Sequence, residues 1–508
     1  MSPLTYIFLL PLLAALVILL IPGNFRFVIR CIALLATFAS LVLAVVVFCR
    51  FDGAKADGFQ FVQQLDWASS LGISYHVGVD GINLGLILMG ATVVFAAVCV
   101  AREIKTREKE FYILLLMMGG GILGAFASLD LFFFYFFHEL ALVPTFIMIG
   151  LWGKGENKNY ATFQITLYLS VGALLVLLGF LALYLQLPLH DRTLDLERLT
   201  QYFKAHPMPQ APQRLIFPLL LFGFGILVSL WPFHTWAPLG YSSAPTSTAM
   251  IHAGVLKKFG LYGLIRVALP MMPNEAQHWA NIISVLCLGN ILYCGLVAMR
   301  QRNLNLLIGN SSVAHMGFAF LGIASLGTIG ITGTVLIMVA HGFLAALTFS
   351  LSGYLRDEVK TLDMNQMGGL LRKLPFIGTV MIMAMLAGCG LPGFAGFPGE
   401  VLVLFGAWQR SEVISAMAVW GALIIAGVYM LRAIRDIWHG DKAWTGISDV
   451  TTLWRKVPYG LLLGCLILFG FCPRLLTDNI KAGVAPIVRM VGAEDIEMTP
   501  IAKGHAAR

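Results

Sequence analysis

Long apolar runs separated by short polar ones recur along almost the whole chain. A helix that crosses a bilayer takes ~20 mainly apolar residues. Fourteen stretches meet that requirement in order: about 4–21, 28–49, 79–101, 111–128, 131–152, 160–186, 214–231, 248–268, 278–299, 304–325, 329–353, 375–392 continuing to about 409, 413–435 and 457–473. The first lacks a basic start and a small-residue cleavage site, so it reads as a retained helix rather than a removed signal. The residues after 473 are polar enough to lie outside the bilayer.

Two of these spans carry proline and glycine at a density that breaks a helix. The seventh runs into Trp231-Pro232-Phe233-His234-Thr235-Trp236-Ala237-Pro238, and the twelfth into Gly388-Cys389-Gly390-Leu391-Pro392-Gly393 and Gly396-Phe397-Pro398-Gly399-Glu400. Lipid cannot satisfy the backbone groups such breaks release, so they survive only against protein or a wet cavity. Interrupted spans at matching places in two halves point to an ion path. The two breaks lie five spans apart. The predicted fold is therefore an all-α integral membrane protein of about fourteen helices, with two inverted five-helix repeats. The expected units are residues 1–110 (spans 1–3), 111–268 (spans 4–8), 278–435 (spans 9–13) and 457–508 (last span and tail).

Composition sharpens this picture. The 508 residues are 58% hydrophobic and 12% charged, against about 25% charge in a soluble domain. The net charge of +8 could draw nucleic acid, but there is no long basic run to bind it. It comes instead from loops. Basic residues gather after odd-numbered spans, as in Arg102, Lys105, Arg107 and Lys109, or Arg356, Lys360, Arg372 and Lys373, or Arg435, Lys442, Arg455 and Lys456. Such a bias marks the cytoplasmic side, which places both termini on the opposite face. The eight cysteines form no CxxC or CxxH cluster, so metal and haem attachment are not expected, and they read as small buried apolar groups.

Ionisable groups inside the spans are few. Of the 34 Lys and Arg residues, only Lys257 and Lys258 fall in a span away from its ends. A cation at a helix centre costs roughly 2.5–3.5 kcal/mol on insertion scales, and such a residue marks a functional site by default. Adjacent residues point ~100° apart around a helix, so the two lysines face different surroundings. Glu139 lies in a phenylalanine-rich stretch with His138 as its only polar neighbour, which makes it a candidate proton carrier or ion-pair switch. Glu400 opens the half-helix after the second break, where it either carries protons or caps the helix. His315 and His341 sit mid-span on neighbouring helices, between the lysine helix and the Glu400 helix. His252 shares the lysine helix, and His234 sits at the first break. Acid, lysine, histidine and acid in this order are what a lateral proton chain requires, with water bridging between them. Asp80, by contrast, reads as a helix cap, and the charged run 102–110 as a solvated loop. No phosphate loop, nucleophile elbow or dinucleotide fingerprint is visible.

As a set, several stretches resemble the antiporter-like subunits of respiratory complex I, the M type above all. They are Tyr75-His76-Val77-Gly78-Val79-Asp80-Gly81, His138-Glu139-Leu140-Ala141-Leu142-Val143-Pro144, Pro232-Phe233-His234-Thr235-Trp236, Ala253-Gly254-Val255-Leu256-Lys257-Lys258, Val313-Ala314-His315-Met316-Gly317 and Gly396-Phe397-Pro398-Gly399-Glu400. The resemblance implies that Glu139 is the family's fifth-helix glutamate, Lys258 its central lysine, Glu400 its terminal acid, and His315 and His341 its relay histidines. It also shows departures. Leu227 stands where the family has the lysine that pairs with the fifth-helix glutamate, and Gln164 replaces a sixth-helix lysine. Lys257 stands where the family is apolar, and one account makes it the replacement partner of Glu139.

The implied function is proton translocation within the membrane arm of a complex I-type NADH:quinone oxidoreductase. The chain would act as a non-redox subunit in a bacterial inner membrane, beside L-, N- and K-type neighbours and the lipid bilayer. No cofactor is expected in this chain; NADH, FMN, iron–sulfur clusters and quinone would belong to partner subunits. Two other readings stand beside it. One is a subunit of a cation/proton antiporter of the Mrp type, and the other a structural spacer that no longer pumps.

Overall fold

The computed structural model describes residues 2–492. Among them, twelve helices are long and apolar enough to cross a membrane. They match the expected spans except the eighth and twelfth, which are built from shorter helical pieces. Outward side chains on the outer spans are apolar, among them Leu20, Phe27, Leu35, Phe163 and Leu174, as a lipid-facing surface demands. The centre is the helix Thr328–Val359, whose apolar stretch is wholly buried. It packs on Leu84–Val100, Thr246–Ile251, Leu304–Ala324, Gly396–Arg410 and Leu453–Phe471. At ~1.5 Å per residue it is longer than the hydrocarbon core is thick, and it continues six residues past the expected boundary at 353.

Both expected breaks are present. The seventh span is helical over Gln210–Val228, turns through Ser229 at φ 75°, and resumes as Trp236–Ser243. The twelfth runs Pro375–Gly388 and resumes as Gly396–Arg410. The eighth span is irregular as well, which its sequence did not reveal. Its pieces are Thr246–Ile251, a π-turn at His252–Leu256, Lys258–Gly263, a second π-turn at Leu264–Ala268, and Leu269–Met271. Such turns insert an extra residue into the helical ladder and gather at functional sites.

Asn290 on the ninth span resolves the first break. Its Oδ1 accepts from the Trp231 N–H at 2.7 Å, while its Nδ2 donates to the carbonyls of Ser229 at 2.9 Å and Val313 at 3.1 Å. One fully buried amide thus satisfies the exposed ends of the broken span and ties them to the tenth.

Ion pairs lock the span ends around Glu103 and Glu108, and here the expectation of a solvated loop at 102–110 needs correction. Glu103, with its side chain only 5% exposed, accepts from Thr246 N at 2.6 Å, Arg356 Nη2 at 3.0 Å and Lys154 Nζ at 3.2 Å. Glu108 is buried against Arg30. These carboxylates can be buried because cations from distant parts of the chain close over them. Asp80 also does more than cap. It accepts from the Ile82 and Asn83 N–H groups and pairs with the buried Arg266.

On the opposite face lie elements the apolar pattern did not predict. An antiparallel hairpin joins Gln60–Ala68 to Ile73–Val79, and Leu196–Ala205 forms a short amphipathic helix. Between them, His76 Nδ1 meets Asp195 at 2.6 Å. Burial alone would raise the Asp195 carboxyl. The hydrogen bonds from His76 and the Arg198 amide outweigh burial, so its affinity for protons falls below that of an ordinary carboxylate. After the last span, Arg474–Val491 buries Leu476, Ile480, Val484 and Val488 against the bundle. This element lies in the segment expected to be outside the bilayer. The cysteines correct another expectation. Cys99, Cys287 and Cys294 are buried, but Cys49 and Cys472 are exposed.

Substituting Asn290 with leucine should orphan buried groups at about 1–3 kcal/mol each. Thermal unfolding in detergent should show a loss of about 2–4 kcal/mol. A variant as stable as the parent would show that other groups satisfy the break.

Candidate functional site

The π-turn decides where the two lysines point. The Lys257 N–H bonds the His252 carbonyl five residues back, at 3.2 Å, instead of the Ala253 carbonyl four back. The Ala253 carbonyl accepts instead from Lys258 Nζ at 2.7 Å. The same ammonium lies 2.8 Å from His341 Nδ1 on the eleventh span. Close backbone contact allows this reach. A Cβ on Gly254 would stand 2.9 Å from the Gly342 carbonyl, and one on Gly342 would stand 3.0 Å from that of Gly254. Larger residues at either place would part the two helices.

From His341 the row continues to the tenth and twelfth spans. The rings of His341 and His315 lie 5.6 Å apart. His315 Nδ1 donates to the Ser311 carbonyl at 2.7 Å. A carbonyl can only accept, so this bond puts the proton on Nδ1 and leaves Nε2 facing Glu400 Oε1 at 3.8 Å. Two cavities of about 10 Å³ each flank His315 and Glu400, each large enough for about one water. Glu400 sits one turn into its half-helix, and Gly390 at φ +70° lets the loop fold over it. A Cβ there would collide with the carboxylate. Tyr429 closes the far side by donating to Ser311 Oγ at 3.0 Å.

Lys258, His341, His315 and Glu400 therefore come together as a buried row. The remaining candidates take other places. Lys257 Nζ donates to Ser312 Oγ at 3.1 Å and stands 5.5 Å over the Tyr241 ring. Among the described residues neither lysine is ion-paired with a carboxylate. Lys257 as the replacement partner of Glu139 is thus corrected: it faces the tenth span, whereas Glu139 is on the fifth. Glu139 has its side chain 31% exposed on the outer flank of the bundle, near His138 at 3.4 Å and within reach of Tyr135. His138 turns inward and stacks on Phe259 at 3.9 Å. His252 lies between Trp236 and Tyr241, at 5.5 and 5.4 Å, and His234 packs against Tyr293. Leu227 is buried, and its side chain packs against Gly172 on the sixth span.

The sequence reading missed Ser311, Ser312 and Tyr429. The run Asn310-Ser311-Ser312 one turn before His315 was a usable signal. Tyr429 offered none, because only the packing of the thirteenth span brings it near.

A polytopic helical bundle with a buried Lys–His–His–Glu row beside two broken helices belongs to the class of ion-translocating membrane subunits. The sequence profile described as "NADH:quinone oxidoreductase/Mrp antiporter, TM" matches residues 128–425. NADH-quinone oxidoreductase subunit M of Rickettsia typhi is 32% identical over 486 residues, covering 94% of this chain and 96% of the relative. NADH-ubiquinone oxidoreductase chain 4 of Marchantia polymorpha is 34% identical, covering 96% and 97%. A chain of respiratory complex I from Thermus thermophilus superposes with a TM-score of 0.87 at 27% identity, covering 97% of this chain and all of that one. The chain belongs to the NADH:quinone oxidoreductase/Mrp antiporter membrane family, within its NADH-quinone oxidoreductase subunit M branch. A chain of the Mrp complex from Dietzia, at 18% identity and a TM-score of 0.82, shares the fold.

Gly390→Ala should cost about 1–2 kcal/mol, because an alanine must hold a left-handed conformation while its methyl displaces the Glu400 carboxylate. Thermal unfolding of the purified variant checks this, and an unchanged midpoint would show that the loop relaxes freely.

Proposed function

We propose that this subunit moves protons through Lys258, His341, His315 and Glu400 without redox chemistry of its own, driven by electron transfer elsewhere in an NADH:quinone oxidoreductase. One observation carries the reading: four titratable side chains from four spans form a buried row, with hydrogen-bond contact at one end and water-sized cavities at the other. Lysine and histidine donate and accept in turn, and each buried group costs less to charge when its neighbour can take the proton. A cavity of about 490 Å³ beside Glu103 and Thr246 opens at the cytoplasmic head of the eighth span.

The two breaks belong to two inverted repeats, spans 4–8 and 9–13, and short pairings at the span ends support this. Asp130 caps the fifth span and bridges to Asp195 after the sixth, while Asn303 caps the tenth and bridges to Asp363 after the eleventh. The backbone bonds correspond too. Leu131 N–H meets the Leu194 carbonyl at 2.8 Å, as Leu304 N–H meets that of Leu362 at 2.9 Å. Under the loop-charge orientation, with both termini outside a bacterial inner membrane, the two pairings lie on opposite faces, as inversion requires.

Glu139 stands apart from the row. A carboxylate partly exposed on an apolar flank belongs to a face that meets another membrane-arm subunit of the L, N or K type. NADH, FMN, iron–sulfur clusters and quinone belong to partner subunits. The spacer reading draws on Leu227, which packs where the family carries a charge.

The test is the number of protons pumped per NADH by assembled complexes carrying Lys258→Leu or Glu400→Gln. We expect a several-fold drop in both. Unchanged stoichiometry in both, with assembly intact, would refute translocation through this row and favour the spacer. The antiporter reading would prevail if the chain co-purified with antiporter subunits and no quinone-reducing partner.

A further inference from the structure

Lys257 is left without a place in that row, yet it is among the most deeply buried large side chains, at 1% exposure. Its ammonium donates to a serine hydroxyl and stands over an aromatic face. Lys258, the next residue, is also fully buried and also lacks a carboxylate among the described residues. Two like charges on adjacent buried residues repel across a low-dielectric interior, which favours one charge held between the two. Ser312, which holds Lys257, adjoins Ser311, whose carbonyl fixes His315. Lys257 therefore follows directly on from the frame of the relay through Ser312 and is next in sequence to Lys258.

We propose that Lys257 is a second proton carrier that shares one charge with Lys258, so that protonation of Lys257 drives the Lys258 proton onto His341. The inference rests on the proton-path reading above. The step balances. Lys257 gains a proton from the uptake side, an N–H bond breaks at Lys258 Nζ, and one forms at His341 Nδ1, 2.8 Å away. The lysine pair keeps a charge of one throughout. The groups facing Lys257 are Tyr241, His252, Lys258, Cys294, His315 and His341, and none of them is an acid. Among the described residues no carboxylate is paired with either lysine.

Arginine and leucine at position 257 separate the possibilities. Lys257→Arg keeps a cation that cannot release its proton, so it should hold Lys258 uncharged and lower protons pumped per NADH several-fold. Lys257→Leu removes the repulsion, so the pH profile of pumping should move toward alkaline pH. A residue that only packs would alter assembly without moving that profile. Lys257→Met carries the same test if the leucine variant does not assemble. Wild-type stoichiometry and pH profile in both the arginine and the apolar variant, while Lys258→Leu abolishes pumping, would overturn the proposal alone. Unchanged pumping in Lys258→Leu as well would instead bring down the proton-path reading on which it rests.

Discussion

Lys258 makes two contacts on which the organisation of the interior depends. Its ammonium takes up the Ala253 carbonyl left by the π-turn and reaches His341 on the central helix. A carbonyl without a donor is costly in lipid, and so is an unpaired cation; each relieves the other here. The contact requires spans eight and eleven to touch through Gly254 and Gly342. It also requires the eighth span to abandon regular helix just before the lysine. Irregular backbone, close packing and buried charge are thus one solution to the scarcity of hydrogen-bond partners in a membrane.

The same rule explains the rest of the core. Asn290 feeds the first break, and Glu103 gathers the N–H of Thr246 together with two cations. The first break and the head of the eighth span each have a polar side chain supplied from elsewhere in the chain. The fold can therefore hold titratable groups in its interior without water-filled gaps larger than single molecules around His315 and Glu400.

How much was legible in the sequence differs from residue to residue. The two breaks were readable because proline and glycine act locally, wherever the chain goes. Lys258, His315, His341 and Glu400 were readable as rare polar groups in apolar runs. The sense of Lys257 was not, because a register slip of one residue turned it toward Ser312. The solvated reading of 102–110 failed for a related reason: Arg356 and Lys154, which neutralise Glu103, lie far along the chain. Glu139 looked buried among phenylalanines, but which face of its helix meets the bundle depends on neighbours that sequence spacing does not name.

By itself, then, the sequence determined a membrane bundle, its span order, its two interruptions and the short roster of residues able to carry protons. Hydropathy and helix-breaking chemistry act over one turn or one span, so a linear reading captures them. Tertiary structure alone decided which of those residues touch. It joined Lys258 to His341 and His315 to Glu400, sent Lys257 to Ser312, and left Glu139 on the flank. Those outcomes depend on helix rotation and on the π-turn, and both are set by the packing of spans distant in the chain.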